Sequence, residues 1–367
     1  MANSKADLDM SKNVLNGRQQ TILDVFRVVA AFSVLIGHSF VFYRLSIFKD
    51  QTYFPFIQNI GVIIFFLMSG FLTVFSLERK NSDNSLSFSK FFTYKTVRIA
   101  KEYLPGLMMI AAIDWIAIAI NKEGYSYYEA FSVKQFVGNI FMLHNMGPSC
   151  VAEKLGFVPF GSGRPLWTLA VEWWLYMLFG ALYLSLNNRR EVSLPKLAVF
   201  GGIIFMCSDY LTAGRGNGLG FVFALGVLGY YAYGRISQKT AKMVFVLSCL
   251  AYLLYGLKFK EAYTMYSFII LWVIFCSAMR IGGGMEKKTK RNPLLAFISK
   301  GTFMLYITHY SILDLIVHAD VPWSVHTKFW VGILISLIVA YAAYYVFGEK
   351  DVIGSVCNVI KRKASKE

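Results

Sequence analysis

The chain alternates long apolar runs with short polar, mostly basic stretches. The apolar runs fall at 21–43, 57–77, 103–120, 166–186, 197–213, 217–234, 241–257, 263–280, 296–317 and 328–348. Each is close to the roughly 20 residues that a helix needs to cross a bilayer core. The pattern therefore predicts an all-α, polytopic integral membrane bundle of about ten transmembrane helices. Only a short Gly-rich link, Thr212 to Gly218, separates the fifth run from the sixth. Residues 1–20 are polar, and no small-residue cleavage site follows the first apolar run, so that run reads as an uncleaved anchor. Three parts result: a cytoplasmic N-terminal segment (1–20), a transmembrane domain (21–348) and a basic cytoplasmic tail (349–367). No internal repeat is visible.

Charge orients this bundle. The chain carries 37 Lys+Arg against 21 Asp+Glu, yet only 16% of its residues are charged and 56% are hydrophobic. A basic balance alone suggests nucleic acid, but such a binder would not dilute its charge into so much apolar sequence. Disorder is excluded by the same hydropathy. The five cysteines are scattered, without CxxC or metal-type spacing, which excludes a disulfide scaffold and predicts no metal. With the N-terminus inside, 26 of the 37 basic residues fall in cytoplasmic segments and 10 in external ones; Arg27, within the first run, completes the count. The positive-inside rule thus predicts N-in, C-in. Two connecting segments are long: cytoplasmic 78–102, and external 121–165, which is expected to hold an interfacial or re-entrant piece.

Ionisable residues inside the runs are the informative ones, since burying them is costly unless they pair or work. Arg27 and His38 are eleven residues apart, which on a helix returns to within about 20° of one face and separates them by about 16 Å. Asp24 lies one turn before Arg27. A snorkelling Arg and a hydrogen-bonded structural His would also fit this pair. The fourth run contains Trp167, Glu172, Trp173, Trp174 and Tyr176; an aromatic belt explains the tryptophans but not Glu172, which reads either as a structural ion-pair member or as a working acid. In the ninth run Tyr306 and His309 share a face, and a lone His there is more often structural. Asp114 and Asp314 read as helix-pairing partners, and His144, His318 and His326 fall in or near external loops. Lys95, Arg98 and Lys101, at three-residue spacing before the third run, are either ordinary inside charge near anionic lipid or a clamp for a phosphate-bearing ligand. No Walker loop is present: Lys300-Gly-Thr lacks the upstream glycines, and Gly161-Ser-Gly and Gly282-Gly-Gly are turns.

In order along the chain, these segments resemble the acyltransferase family 3 membrane enzymes, which O-acylate bacterial surface saccharides. Asp24-Val-Phe-Arg27 followed by His38 is similar to the family's first-helix Arg/His motif. Phe65-Phe-Leu-Met-Ser69-Gly70-Phe resembles its FF..SGF run, and Lys95-Thr-Val-Arg98 its basic pair. Leu166-Trp167-Thr-Leu-Ala-Val-Glu172-Trp-Trp-Leu-Tyr176 resembles W.L..E...Y, and Leu305-Tyr306-Ile-Thr-His309 the late YL.H element. The likeness covers 21–180 and 296–312 well and 190–290 weakly. The chain departs in beginning the basic pair with Lys95, usually Arg, and in placing Pro105 later; Lys101 offers a further cation.

The resemblance implies an acyl-CoA-dependent O-acetyltransferase of the bacterial cytoplasmic (inner) membrane. Arg27, Lys95, Arg98 and Lys101 would hold the phosphates of acetyl-CoA or another acyl-CoA. His38 would act as base on a hydroxyl of an extracytoplasmic, lipid-linked saccharide, or carry the acyl group itself in a covalent relay, with Glu172 orienting it or stabilising its imidazolium. Trp167, Tyr176, Tyr306 and His309 would line the substrate site, supported by Asp24, Ser69 and Gly70. The partners implied are the lipid bilayer, acyl-CoA and a saccharide acceptor, with no nucleic acid. The competing class is a transporter or flippase of lipid-linked saccharides with a buried His/Glu/Arg proton path. Such proteins often show two matching halves with broken helices, and none is seen here.

Overall fold

A computed structural model describes residues 14–45, 55–144, 146–187, 194–211, 217–259, 261–283 and 289–349, and among them every regular element is helical. The helices are α1 (Gly17–Tyr43), α2 (Pro55–Lys80), α3 (Phe88–Ile120), α4 (Val133–Ile140), α5 (Ser149–Leu155), α6 (Leu166–Asn187) and α7 (Leu194–Leu211). They continue with α8 (Leu219–Ala232), α9 (Gln238–Phe259), α10 (Met265–Gly283), α11 (Pro293–Lys300), α12 (Thr302–His318) and α13 (Val325–Ala343), which runs on into a π turn, Tyr344–Glu349. Each of the ten predicted apolar runs is helical over most of its described residues. Among the described residues seven helices are long and apolar enough to span a membrane: α1, α2, α3, α6, α9, α10 and α13 with its π turn. The 1–13 segment, residues 350–367 of the tail and residues 212–216 of the Gly-rich link lie outside the described residues.

Local chemistry explains the helix boundaries. Asn16 accepts from the Gln19 N–H at 2.9 Å, and the Gln19 side chain accepts from the Asn16 N–H at 3.1 Å, a reciprocal cap that starts α1. The Asn16 side chain also donates to Gly282 O, which brings the end of α10 to the start of α1. We call this the proximal end. Ser87 caps α3 there by accepting from the Lys90 N–H, and a Lys300–Glu349 ion pair brings the end of α13 to the same level. At 33 residues, about 50 Å, α3 is the longest helix among the described residues; Phe91 near its start packs with Leu77 and Leu184 at this end, and its first half carries Lys95 and Arg98.

Two predicted spans need correction. Residues 296–317 are not one helix: the chain breaks at Gly301 into α11 and α12. There the carbonyls of Ile298 and Ser299 are taken by the hydroxyls of Tyr341 (2.5 Å) and Thr302 (2.7 Å). The sixth run yields only 14 residues, α8, about 21 Å and too short to cross alone. It packs one face against α2, with Val222 fully buried, and leaves Phe221, Leu228 and Tyr231 exposed on the other.

That packing needs two glycines. A Cβ on Gly70 would meet Phe223 O, and one on Gly226 would meet Leu67 O; each would also lie 3.1 Å from the opposite glycine's Cα. Small residues let the helix backbones touch, as membrane interiors favour.

The segment 121–165, predicted to be external, is folded into the distal end, opposite the proximal one. Asn139, fully buried, donates to Val158 O at 2.9 Å and accepts from the Phe160 N–H; Gln135 donates to Gly156 O and accepts from the Val158 N–H. Asp114, predicted to pair helices, instead accepts from the Ser162 N–H (2.9 Å) and hydroxyl (2.5 Å), pinning this loop onto α3.

Replacing Gly226 by Val is expected to cost about 1–3 kcal/mol through overpacking. Gly201→Ala, where a Cβ meets nothing within 4 Å, should be neutral. Thermal unfolding of the purified proteins in detergent checks the pair.

Candidate active site

A cavity of about 320 Å³ opens at the proximal end among α1, α2, α3, α6, α11 and α12. Five cations line it: Arg27, Lys95, Arg98, Arg291 and Lys300. Two carboxylates, Glu102 and Glu172, share the wall. The cations are graded in depth: Arg98 and Lys300 are exposed, Arg27 and Arg291 half-buried, and Lys95 buried at 4% exposure. All five sequence motifs reach this wall, through Arg27, Ser69, Lys95 with Arg98, Glu172 with Tyr176, and Tyr306.

Asp24 holds the cationic side together. It is fully buried and takes a two-pronged ion pair from Arg291, with Nε and Nη2 each at 2.6 Å. Arg27 reaches it at 3.3 Å and the Ser299 hydroxyl donates to it at 2.7 Å. Hydrogen bonding to Asp24 pushes the Arg291 guanidinium above its ordinary pKa, so it is a fixed cation. Across the cavity, the Lys95 ammonium donates to the Thr73 hydroxyl (3.1 Å) and stands 3.9 Å from the centre of the Tyr176 ring. Glu172 accepts from the Ser69 hydroxyl and from Tyr176 (2.5 Å), which ties the second motif to the fourth, and the Lys95 contact with the Tyr176 ring adds the third to the same corner.

Beyond the cavity lies a second centre. His38 Nδ1 is 2.8 Å from His309 Nε2, with the rings stacked at 5.1 Å and 17°. His309 is buried at 1% exposure and its Nδ1 is 2.9 Å from Leu305 O; His38 is half-buried. Tyr306 stands between the two centres. It lines the cavity, meets Phe65 edge-on at 5.5 Å, shares a 2.6 Å hydrogen bond with Thr168, and lies 6.1 Å from the His309 ring. On the distal side Tyr310 contacts His38 edge-on at 5.1 Å, and its hydroxyl is 3.2 Å from that of Tyr127.

The predicted residues therefore divide between two places. Arg27, Lys95, Arg98, Glu172, Ser69, Tyr176 and Tyr306 share the cavity; His38 and His309 pair beyond it; Gly70 serves the α2–α8 crossing. Lys101 and Trp167 are half-buried and are not on the cavity wall. The partner expected for His38, Glu172, is engaged elsewhere, and His309 occupies that position. Sequence reasoning missed Arg291, Lys300 and Glu102. Arg291 and Lys300 belong to a basic stretch in which no spacing distinguishes them. Glu102 follows Arg98 by four residues, a readable signal, and its Oε2 is buried without a partner.

Asp24→Ala is expected to leave two guanidiniums facing each other, a loss of about 3–5 kcal/mol for a broken buried pair. Adding Arg291→Ala should recover part of that loss. Unfolding of the two single variants and the double variant tests this coupling.

Residues 20–347 match the acyltransferase 3 family, described as an acyltransferase domain. None of the curated proteins and none of the solved structures compared with the chain matches it. The matched span runs from α1 through most of the closing π turn, so it contains the cavity and the histidine pair whole. With its apolar helices, this multi-pass membrane protein belongs to the acyltransferase 3 family and is a membrane acyltransferase.

Proposed function

We propose that the protein moves an acetyl or similar acyl group from cytosolic acyl-CoA to a hydroxyl of a lipid-linked saccharide on the far side of a bacterial inner membrane. The proximal end is then cytoplasmic, as the distribution of basic residues favours. The observation that carries this reading is the convergence of all five motifs on a cavity with five cations and two carboxylates. Such a wall suits a ligand with several negative charges, and phosphates are the acyl-CoA groups that guanidinium and ammonium clusters hold. At about 320 Å³ the cavity is at the small end of ligand sites. Arg98 joins it to an open hollow of about 560 Å³ with Lys90, Thr93 and Tyr94, which extends the surface available to a long donor.

The chemistry follows from the second centre. His38 takes the proton of the acceptor hydroxyl as the oxygen attacks the thioester carbonyl. The C–O bond forms, the C–S bond breaks, and the departing thiolate recovers the proton from His38. Arg27 and Arg98 hold the donor, Lys95 and Glu172 fix the inner corner of its pocket, and Tyr306 lines the approach to His38. The family membership favours this chemistry over a transporter that uses the same residues as a proton path.

His38→Ala is expected to abolish transfer of label from [14C]acetyl-CoA to glycan in membranes while CoA binding persists; wild-type transfer by this variant would sink the assignment. Arg98→Ala should raise KM for acetyl-CoA about 10- to 100-fold, the weight of a charged hydrogen bond, with kcat changed far less. Steady-state kinetics on purified protein separates the two.

A further inference from the structure

We infer that His309 is a positioning residue that sets the tautomer of His38, leaving Nε2 of His38 as the atom that moves the proton. This deepens the reading above and rests on it. The argument starts at Leu305 O. A carbonyl oxygen only accepts, so the proton in its 2.9 Å contact belongs to His309 Nδ1. A neutral His309 then has a bare lone pair on Nε2. The atom 2.8 Å from that lone pair is Nδ1 of His38, so Nδ1 carries the proton and donates. With Nδ1 protonated, neutral His38 has its lone pair on Nε2.

The opposite direction, with His309 Nε2 donating to His38, needs His309 to be doubly protonated. That would place an imidazolium at 1% exposure, where its ring is faced by His38, Tyr306 and Tyr310 rather than by a carboxylate. A buried charge without a counter-ion is strongly disfavoured. The chain Leu305 O, His309, His38 therefore has one low-energy polarity.

The geometry holds this polarity in place. The His309 side chain folds back onto the carbonyl one turn earlier on its own helix, which fixes its ring relative to α12. The stacked contact and the edge of Tyr310 fix the His38 ring in turn. His38 itself is only half-buried, whereas His309 is enclosed at 1% exposure.

The arrangement does for His38 what a carboxylate does for the histidine of a hydrolase triad, with a neutral acceptor in place of the anion. When His38 Nε2 takes the hydroxyl proton, its ring becomes an imidazolium. The Nδ1–H to His309 bond then becomes charge-assisted and strengthens as the reaction advances. The proton returns from Nε2 to the thiolate, and His309 ends as it began.

The test compares His309→Leu with His309→Gln, whose amide oxygen can still accept from His38 Nδ1. Transfer from [14C]acetyl-CoA is measured in membranes prepared from the producing cells, with His38→Ala alongside. His309→Leu should lower kcat about 10²- to 10⁴-fold, the range for a misdirected catalytic base. KM for acetyl-CoA should stay within about twofold, because the cationic cavity is untouched, and His309→Gln should recover at least tenfold. Independently of any variant's folding, 15N NMR of histidine-labelled wild-type protein, assigned through His38→Ala, should show His38 protonated at Nδ1 and bare at Nε2. Wild-type kcat in His309→Leu, no difference between Gln and Leu in folded protein, or a His38 protonated at Nε2 would each overturn the inference. If His38→Ala itself retains transfer, the proposed chemistry fails; if His38→Ala is inactive and His309→Leu is not, only the role of His309 fails.

Discussion

The site depends on one buried carboxylate. Arg27 and Arg291 carry like charges into a medium of low dielectric, where two unit charges 4 Å apart repel by about 4 kcal/mol at an effective dielectric of 20. Asp24 lies between them at full burial and makes that proximity tolerable. Its partners come from α1, from the turn before α11 and, through Ser299, from α11 itself. The same contacts therefore neutralise charge and dock α11 on α1. Because Gly301 immediately follows α11, docking α11 also sets where α12 begins, and hence the height at which Tyr306 and His309 face their partners.

The protein keeps permanent charge and titratable chemistry apart. The cations and both carboxylates of the cavity sit at the proximal end, while the histidine pair lies deeper, across Tyr306 and Phe65. A guanidinium beside His38 would oppose the imidazolium that a base must become, and a carboxylate beside it would have to be desolvated there. His309 supplies a hydrogen-bond acceptor without either cost. Glu172, free of that duty, steadies Ser69 and Tyr176 under the buried Lys95 instead.

Much of this was legible in the chain. Each of the ten apolar runs is mainly helical in its described residues, and the eleven-residue spacing of Arg27 and His38 put both on one face of α1. The motif residues could be read as a group because each repeats a local pattern. What escaped was set by contacts with no local signature. The His38–His309 pair joins residues 271 apart, and nothing in either helix announces the other. Arg291 is one of several cations in its stretch, and only the position of Asp24 selects it. The break at Gly301 depends on the hydroxyls of Thr302 and Tyr341, the latter on a different helix. The start of α8 is set at Gly218, whose φ of 73° breaks the run, and its fit against α2 is set by Gly70 and Gly226, residues 156 positions apart.

The depth of the histidine pair also constrains how the two substrates of the proposed reaction meet. Arg27 and His38 are eleven residues apart on α1, about 16 Å along its axis. A donor held by its phosphates at Arg27 and Arg98 must therefore send its acyl group inward on a flexible arm, past Tyr306, to be attacked beside His38. An acceptor hydroxyl cannot come by the same route while that arm occupies it. It has to approach from the distal side, where Tyr310 and Tyr127 stand and where the folded-in 121–165 segment forms part of the surface. Two substrates entering from opposite ends need no large movement of the bundle to exchange an acyl group. In the structure Tyr306 and Phe65, in edge-on contact at 5.5 Å, stand between the cavity and the histidine pair, so in the proposed reaction the acyl arm has to pass there.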